Sequence, residues 1–333
     1  MSKKLSIKEL AKLAGVSTAT VSRILNEKGG YSSETEEKVL RIVKETGFSI
    51  NVAAKALRTN ISKSIGVVVP DITNEFFSRI VRQISLYFLA YNYSVFVCDS
   101  NESLEIEKKY ISELQSRNID GIIYVQGQNN NGLEDMDLKI PVVYIDRSPV
   151  NADVVIESDN FLGGVIVADE LLRLGCKNLI AIRDIHNLSS INDRIEGFIS
   201  RLREENVESK IFYIDNPTVE DGKIKMQEII DSGYKFDGVF ASNDIVSIGV
   251  YNTLKNNGIA VPKDVKLIGF DGNELIKSCF DFLLTIDQDV EKMAVEGCKI
   301  LYEMMTEDIS IKTRIKIPVS LNRGRGESNG TFN

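Results

Sequence analysis

Polar side chains gather just beyond the apolar runs of this sequence, where the carboxyl ends of parallel strands would open. Asp71 and Asn74 follow Ser64–Pro70, Asp146 and Arg147 follow Val142–Ile145, and Arg194 opens a helix after Asn178–Arg183. Asn243 and Asp244 follow Asp237–Ala241, Asp271 follows Val265–Gly269, and Gln288 follows Leu283–Ile286. Carboxylates, amides and arginines converging on a cleft, with Phe76 and Phe77 available for stacking, suit a sugar or similar polyhydroxyl ligand. Taken singly, each residue reads equally well as a helix cap or a turn. Their number favours a shared site.

A catalytic set does not assemble around them. His186 is the only histidine, which excludes a zinc finger and most histidine-based catalysis. No GxGxxG follows a strand, no Walker loop occurs, and Gly324-Arg325-Gly326 lies in the wrong context to cradle phosphate. Nothing demands carboxylate-pair chemistry. Cys98, Cys176, Cys279 and Cys298 are far apart, form no CxxC and read as thiols in a reducing cytoplasm. The expectation is a binding protein, not an enzyme, with neither cofactor nor metal.

The elements that must position these residues follow an α/β rhythm. The chain has 333 residues, 43% hydrophobic and 26% charged, which bounds it at two or three globular domains. No apolar run reaches membrane-spanning length and no signal-type segment opens the chain, so a soluble cytoplasmic protein is expected. From Ser64 onward, strands at Ser64–Pro70, Ser94–Asp99, Gly121–Val125, Val142–Ile145 and Val154–Ile156 alternate with amphipathic stretches. A second series runs through Asn178–Arg183, Ile211–Ile214, Asp237–Ala241, Val265–Gly269 and Leu283–Ile286, and a last strand is expected at Arg314–Ser320. Such alternation predicts two doubly wound parallel-sheet lobes with a ligand cleft between them.

The amino-terminal segment differs. Residues 1–60 hold eight Lys and three Arg against six Glu and no Asp, a net of +5, although the whole chain carries −8. A basic head on an acidic body points to a polyanion. Ser6 with Glu9 forms a capping box, Gly15 suits a turn, and Ser17 caps a second short helix; Ser33 with Glu36 is expected to cap a third. This is a small all-α helix-turn-helix pattern. Val21, Ile24 and Leu25 face inward, leaving Thr18, Ala19, Ser22, Arg23 and Asn26 for a major groove. Arg23 suits a guanine edge, while Ser17, Thr20 and Ser22 suit phosphates.

The stretch from Ile7 to Asn26, with its Gly15-Val16-Ser17 turn and Thr20-Val21-Ser22-Arg23 core, closely resembles the head of the lactose-repressor family of bacterial transcription regulators. Further landmarks match at Pro70-Asp71, Ser158-Asp159-Asn160, Gly163-Gly164, Arg194, Gly197-Phe198, Asn243-Asp244, Gly269-Phe270-Asp271 and Asp287-Gln288-Asp289. The resemblance implies base contacts by Thr18, Ala19 and Arg23. It also implies a hinge helix between head and body, where Leu57 is the wedge leucine and Lys55 stands where relatives often carry arginine. Its body is similar to periplasmic sugar-binding proteins, with three crossovers. This implies a head over 1–50, a hinge over 51–61 and an effector-binding and dimerisation body over 62–333. Lobe one would span about 62–158 and 288–320, and lobe two about 159–287. The implied effector contacts are Phe76, Phe77, Asp146, Arg147, Arg194, Asn243, Asp271 and Gln288. Asp215-Asn216-Pro217 offers no aromatic where relatives often stack one.

The resulting expectation is a homodimeric repressor of a carbohydrate-utilisation operon. It would bind near-palindromic double-stranded operator DNA under the control of a sugar-like effector. A co-repressor-dependent regulator of another pathway is the alternative. A free-standing solute-binding protein would lack the basic head, and a sugar-modifying enzyme would need the missing catalytic set.

Overall fold

The computed structural model describes residues 5–25, 28–48, 61–125, 136, 138–149, 151–280 and 282–323. The chain divides into two units, Met1–Ser62 and Lys63–Asn333.

In the first unit, α1 (Ile7–Ala14), α2 (Thr18–Leu25) and α3 (Ser33–Thr46) close over Leu10, Ala11, Ala14, Val21, Ile24 and Val39. The Ser6 hydroxyl accepts from the Glu9 amide while the Glu9 carboxylate accepts from the Ser6 amide, so the expected capping box is present. Gly15 ends α1 at φ 67°, a left-handed conformation that glycine adopts without a Cβ penalty. The Ser17 hydroxyl accepts from the Thr20 amide at 3.0 Å and starts α2. The cap of α3 lies one residue earlier than expected. Ser32, not Ser33, accepts from the Thr35 amide, because Ser32 is the residue with extended backbone.

The second unit holds two six-stranded sheets. In lobe one, β1 (Ser64–Val69), β2 (Ser94–Asp99), β3 (Gly121–Tyr124), β4 (Val142–Ile145), β5 (Val154–Ser158) and β11 (Thr313–Ile317) lie in the order β11-β5-β4-β3-β1-β2, all parallel. Alternate residues of β1 explain its two covered faces. Ile65, Val67 and Val69 join a core with Ile84 and Phe88 of α4 (Glu75–Ala90) and Leu301 of α11 (Val290–Glu307), whereas Val68 packs with Ile111 and Leu114 of α5 (Leu104–Ser116). Full burial of each such side chain is worth roughly 1.5–3 kcal/mol.

Lobe two holds β6 (Leu179–Asp184), β7 (Ser209–Ile214), β8 (Gly238–Ala241), β9 (Lys266–Asp271), β10 (Leu284–Gln288) and β12 (Val319–Asn322), ordered β12-β10-β9-β8-β6-β7. On one face lie α6 (Asn160–Arg173) and α7 (Ser189–Glu204), and on the other α8 (Val219–Asp231) and α9 (Asp244–Asn256). The short α10 (Glu274–Cys279) follows β9 and was not anticipated from sequence.

Two expectations need correction. The single last strand at Arg314–Ser320 is two strands. Pro318 has no N–H for a ladder, and there the chain leaves the first sheet and enters the second as β12, antiparallel to β10. The carboxyl-terminal residues expected in lobe one up to 320 therefore belong partly to the other sheet. The helix expected to open near Arg194 begins earlier, at Ser189. The chain passes between sheets after β5, after β10 and after β11. Among the described residues no helix is long and apolar enough to cross a membrane.

α6 and α7 touch backbone to backbone where glycines face each other. A Cβ on Gly164 would stand 2.0 Å from the Arg194 carbonyl oxygen, and one on Gly197 2.0 Å from that of Phe161. No side-chain rotation relieves such a clash. Gly164→Ala is expected to lower stability by at least about 1–3 kcal/mol, read as a lower urea midpoint, and to displace Arg194; an unchanged midpoint would show that the helices separate freely.

Candidate functional site

A cavity of about 320 Å³ lies between the two lobes at the carboxyl ends of their strands. Its lobe-one wall begins at Asn74, whose side chain caps α4 by accepting from the Phe76 amide at 3.0 Å. That cap aims the start of α4 at the cavity and brings in Phe76 and Phe77, whose rings meet edge to face with centroids 5.3 Å apart. Asp146 and Arg147 follow β4. The lobe-two wall carries Arg194 from α7, Asn243 as the cap of α9, and Asp271 from the end of β9.

Two carboxylates face each other across this space on strained backbone. Asp146 has φ 65° and Asp271 φ 117°, values that cost a non-glycine residue of order 1–3 kcal/mol. Asp146 is 3% exposed, yet its Oδ1 has no hydrogen-bond partner while Oδ2 lies 3.6 Å from Arg147 Nε. It is a buried acceptor open to a donor from a ligand. Burial pushes its pKa up, with Arg147 and Arg194 pulling the other way. Asp271 is pushed up to about 6, chiefly by burial and further by the Asp146 charge, while Arg194 and Gln288 oppose the rise.

Arg194 is the buried cation of the site. Its Nε donates to Asn160 Oδ1 at 2.9 Å and its Nη1 to the Ser242 carbonyl at 2.8 Å. Nη1 also lies 3.2 Å from Asp271 Oδ1, and the guanidinium stacks 3.7 Å over the Phe270 ring. Arg147 is likewise held, 3.2 Å from Glu102 and 5.1 Å over Phe77. Both guanidiniums are neutralised by carboxylates of the cavity itself, and Asp71 adds a further acid to its wall. Acceptors in excess, with aromatic and aliphatic faces beside them, favour a neutral ligand rich in hydroxyl donors.

The structure thus brings Phe76, Phe77, Asp146, Arg147, Arg194, Asn243 and Asp271 together on one cavity. Gln288 differs from expectation. Its Nε2 donates to Asp271 Oδ1 at 2.7 Å, and it borders a separate groove with Arg79 and Lys277 rather than the cavity. Gln288 sits on β10 beside β9, so its side chain braces Asp271 from behind. Sequence reasoning missed Asn101 and Glu102, which follow β2 by the same strand-end logic that found the others. It also set aside His186, which borders the cavity from the loop after β6. Asn216 and Pro217 line the wall where no aromatic was available.

In the first unit, Thr18, Ala19 and Arg23 are exposed along α2, as a groove-entering face requires. Ser17 is exposed, but its hydroxyl is engaged at 2.9 Å with that of Thr20. Thr20 and Ser22 are half-buried. Asn26, Lys55 and Leu57 lie outside the described residues.

Residues 6–51 match the model for bacterial regulatory proteins of the lacI family, and residues 168–325 match a periplasmic binding protein-like domain. A ribose operon repressor of Halalkalibacterium halodurans is 32% identical over 95% of this chain and 95% of its own. The transcriptional regulator RegA of Clostridium saccharobutylicum is 31% identical over 91% and 93%. The chain belongs to the lacI family. A sucrose operon repressor of Pediococcus pentosaceus is 30% identical over 96% of this chain and 98% of its own. Among solved structures, the lac repressor dimer bound to operator and an anti-inducer superposes with a TM-score of 0.87 at 22% identity, covering 97% of this chain and 99% of that one. A lacI-family regulator from Enterococcus faecium with bound ribose gives 0.71 at 25% identity, covering 78% and 97%. This lacI-family chain is therefore a sequence-specific DNA-binding transcription regulator with an effector site, not an enzyme.

A second buried acid stands behind the first. Asp244, fully buried at the start of α9, is pushed up to about 8 by burial and the Asp271 charge. It accepts from the Thr285 hydroxyl at 2.6 Å and the Asn273 amide at 2.8 Å. Both folded values exceed the unfolded one, so the folded state keeps protons that the unfolded state has released. Stability from these groups is complete at acid pH and is lost as pH rises through about 6 for Asp271 and about 8 for Asp244. In scanning calorimetry from pH 5 to 8, Asp244→Asn is expected to show a flatter fall in melting temperature than wild type; parallel slopes would contradict the assignment.

Proposed function

We propose that this protein is a homodimeric repressor of a carbohydrate-utilisation operon, relieved by a neutral sugar or sugar derivative held between the lobes. The observation that carries the reading is the cavity itself: Asp146 from lobe one and Asp271 with Arg194 from lobe two face a single ligand-sized space. The repressors of ribose and sucrose operons among its relatives, and the ribose-bound regulator among its structural neighbours, support the choice of sugar.

On this reading the chain works as a head over 1–50, a hinge over 51–61 and a body over 62–333, without a cofactor and in the cytoplasm. Thr18, Ala19, Arg23 and Asn26 meet base edges, and Ser17, Thr20 and Ser22 meet phosphates. Lys55 and Leu57 enter the minor groove at the operator centre, where a leucine wedge between base steps kinks the duplex. Two heads one helical turn apart, about 34–36 Å, demand a near-palindromic operator. A ligand that bonds Asp146 on one side and Asp271 and Asn243 on the other favours one lobe arrangement. It shifts operator affinity by as much as it prefers that arrangement.

The test is fluorescence anisotropy on fragments from the regulator's own genomic neighbourhood, with a panel of neutral sugars. Arg23→Ala is expected to weaken specific binding by about 1–3 kcal/mol and relax base choice at one position of each half-site; an equal loss on all sequences would make it a phosphate contact. Asp271→Asn, which keeps an acceptor for Arg194 and Gln288, is expected to bind operator and to respond at least about tenfold more weakly to every sugar that releases the wild type, and an unchanged response would remove Asp271 from the site.

A further inference from the structure

Beside the cavity, α4 of lobe one reaches across to the loop that follows β9 in lobe two. The Glu75 carboxylate accepts from the Glu274 amide at 2.8 Å and from the Leu275 amide at 3.3 Å, spanning 199 and 200 residues of chain. One turn further along the same face of α4, Arg79 Nη1 donates to the Gly272 carbonyl at 3.4 Å. Acid and base thus grip opposite polarities of one short backbone segment: its amides and its carbonyl.

The position of this grip is informative. Glu75 lies between Asn74 and Phe76, both on the cavity wall, and the gripped segment begins immediately after Asp271. On each side of the grip, one bridging residue, Glu75 or Gly272, is a chain neighbour of a residue that faces the ligand space. The Asp271 backbone is held at φ 117°, a conformation that needs outside support. Parting the lobes would leave two α10 amides without their acceptor and release the Gly272 carbonyl. We propose that Glu75 and Arg79 form a clasp between the lobes that holds the Asp271 loop in its ligand-binding position and sets how readily the cleft opens. They are positioning residues, and the proposal rests on the cleft being the effector site.

Hydrogen exchange on the full-length, ligand-free protein tests it, comparing wild type with Glu75→Ala, Glu75→Gln and Arg79→Ala. In Glu75→Ala, residues 272–279 are expected to exchange about tenfold faster. Residues 186–191, on the lobe-two wall of the cavity, should accelerate as well because the lobes part. Glu75→Gln keeps one carbonyl acceptor and should fall between wild type and alanine, a partial rescue that simple loss of packing does not give. Acceleration confined to 272–279 would make Glu75 a local cap and overturn the clasp, as would no acceleration at all. If Glu75→Ala fails to fold, the same criteria apply to the other two variants. A wild type whose exchange responds to no neutral sugar counts against the effector reading alone; the ligand-free comparison decides the clasp.

Discussion

A guanidinium cannot be carried into a protein interior alone; unpaired, it costs several kcal/mol. Arg194 is 3% exposed, and much of the effector lobe is arranged around that fact. Asp271 supplies the opposing charge, Asn160 and the Ser242 carbonyl take two of its donors, and Phe270 lies flat beneath it. The facing glycines of α6 and α7 let its helix come close enough to be bonded in this way. Gln288 and Asp244 then stand behind Asp271, one bracing its carboxylate and the other having its own pKa raised by the Asp271 charge. What a ligand meets at the cavity wall is the front of a polar network that extends through the lobe.

That network explains which parts of the molecule were legible in the sequence. Alternation of apolar runs with amphipathic stretches revealed both sheets, because strands covered on two faces need continuous hydrophobicity. Polar residues at strand ends revealed Asp146, Asp271 and Asn243, because loops at those ends are the ones that converge. Gln288 follows the same rule but points at Asp271 instead of the cavity, a distinction set by which strand lies next to which. Asn101 and Glu102 carried the same signal and were passed over. The break at Pro318 was visible as a proline in an apolar run, but the sheet change it causes depends on a partner, β10, far back in the chain. Ser32 rather than Ser33 caps α3 because two adjacent serines offer the same hydroxyl, and only backbone conformation chooses between them.

The two units answer different physical demands. The basic segment needs only a small core and an exposed α2 face, since its affinity for a duplex comes largely from charge neutralisation. The acidic body needs paired, desolvated charges whose energies differ between lobe arrangements, since a ligand acts only through such differences. Strain at Asp146 and Asp271 suits the second demand: a conformation maintained by its surroundings is easily shifted when a ligand changes them.

The exchange of strands between sheets at Pro318 bears on how the body is made on the ribosome. Lobe one waits for α11 and β11 to cover and extend its sheet, and lobe two waits for β12 to close its edge. Neither half is a contiguous stretch of gene, so both stay unfinished until β11 and β12 have been made, and both then finish together.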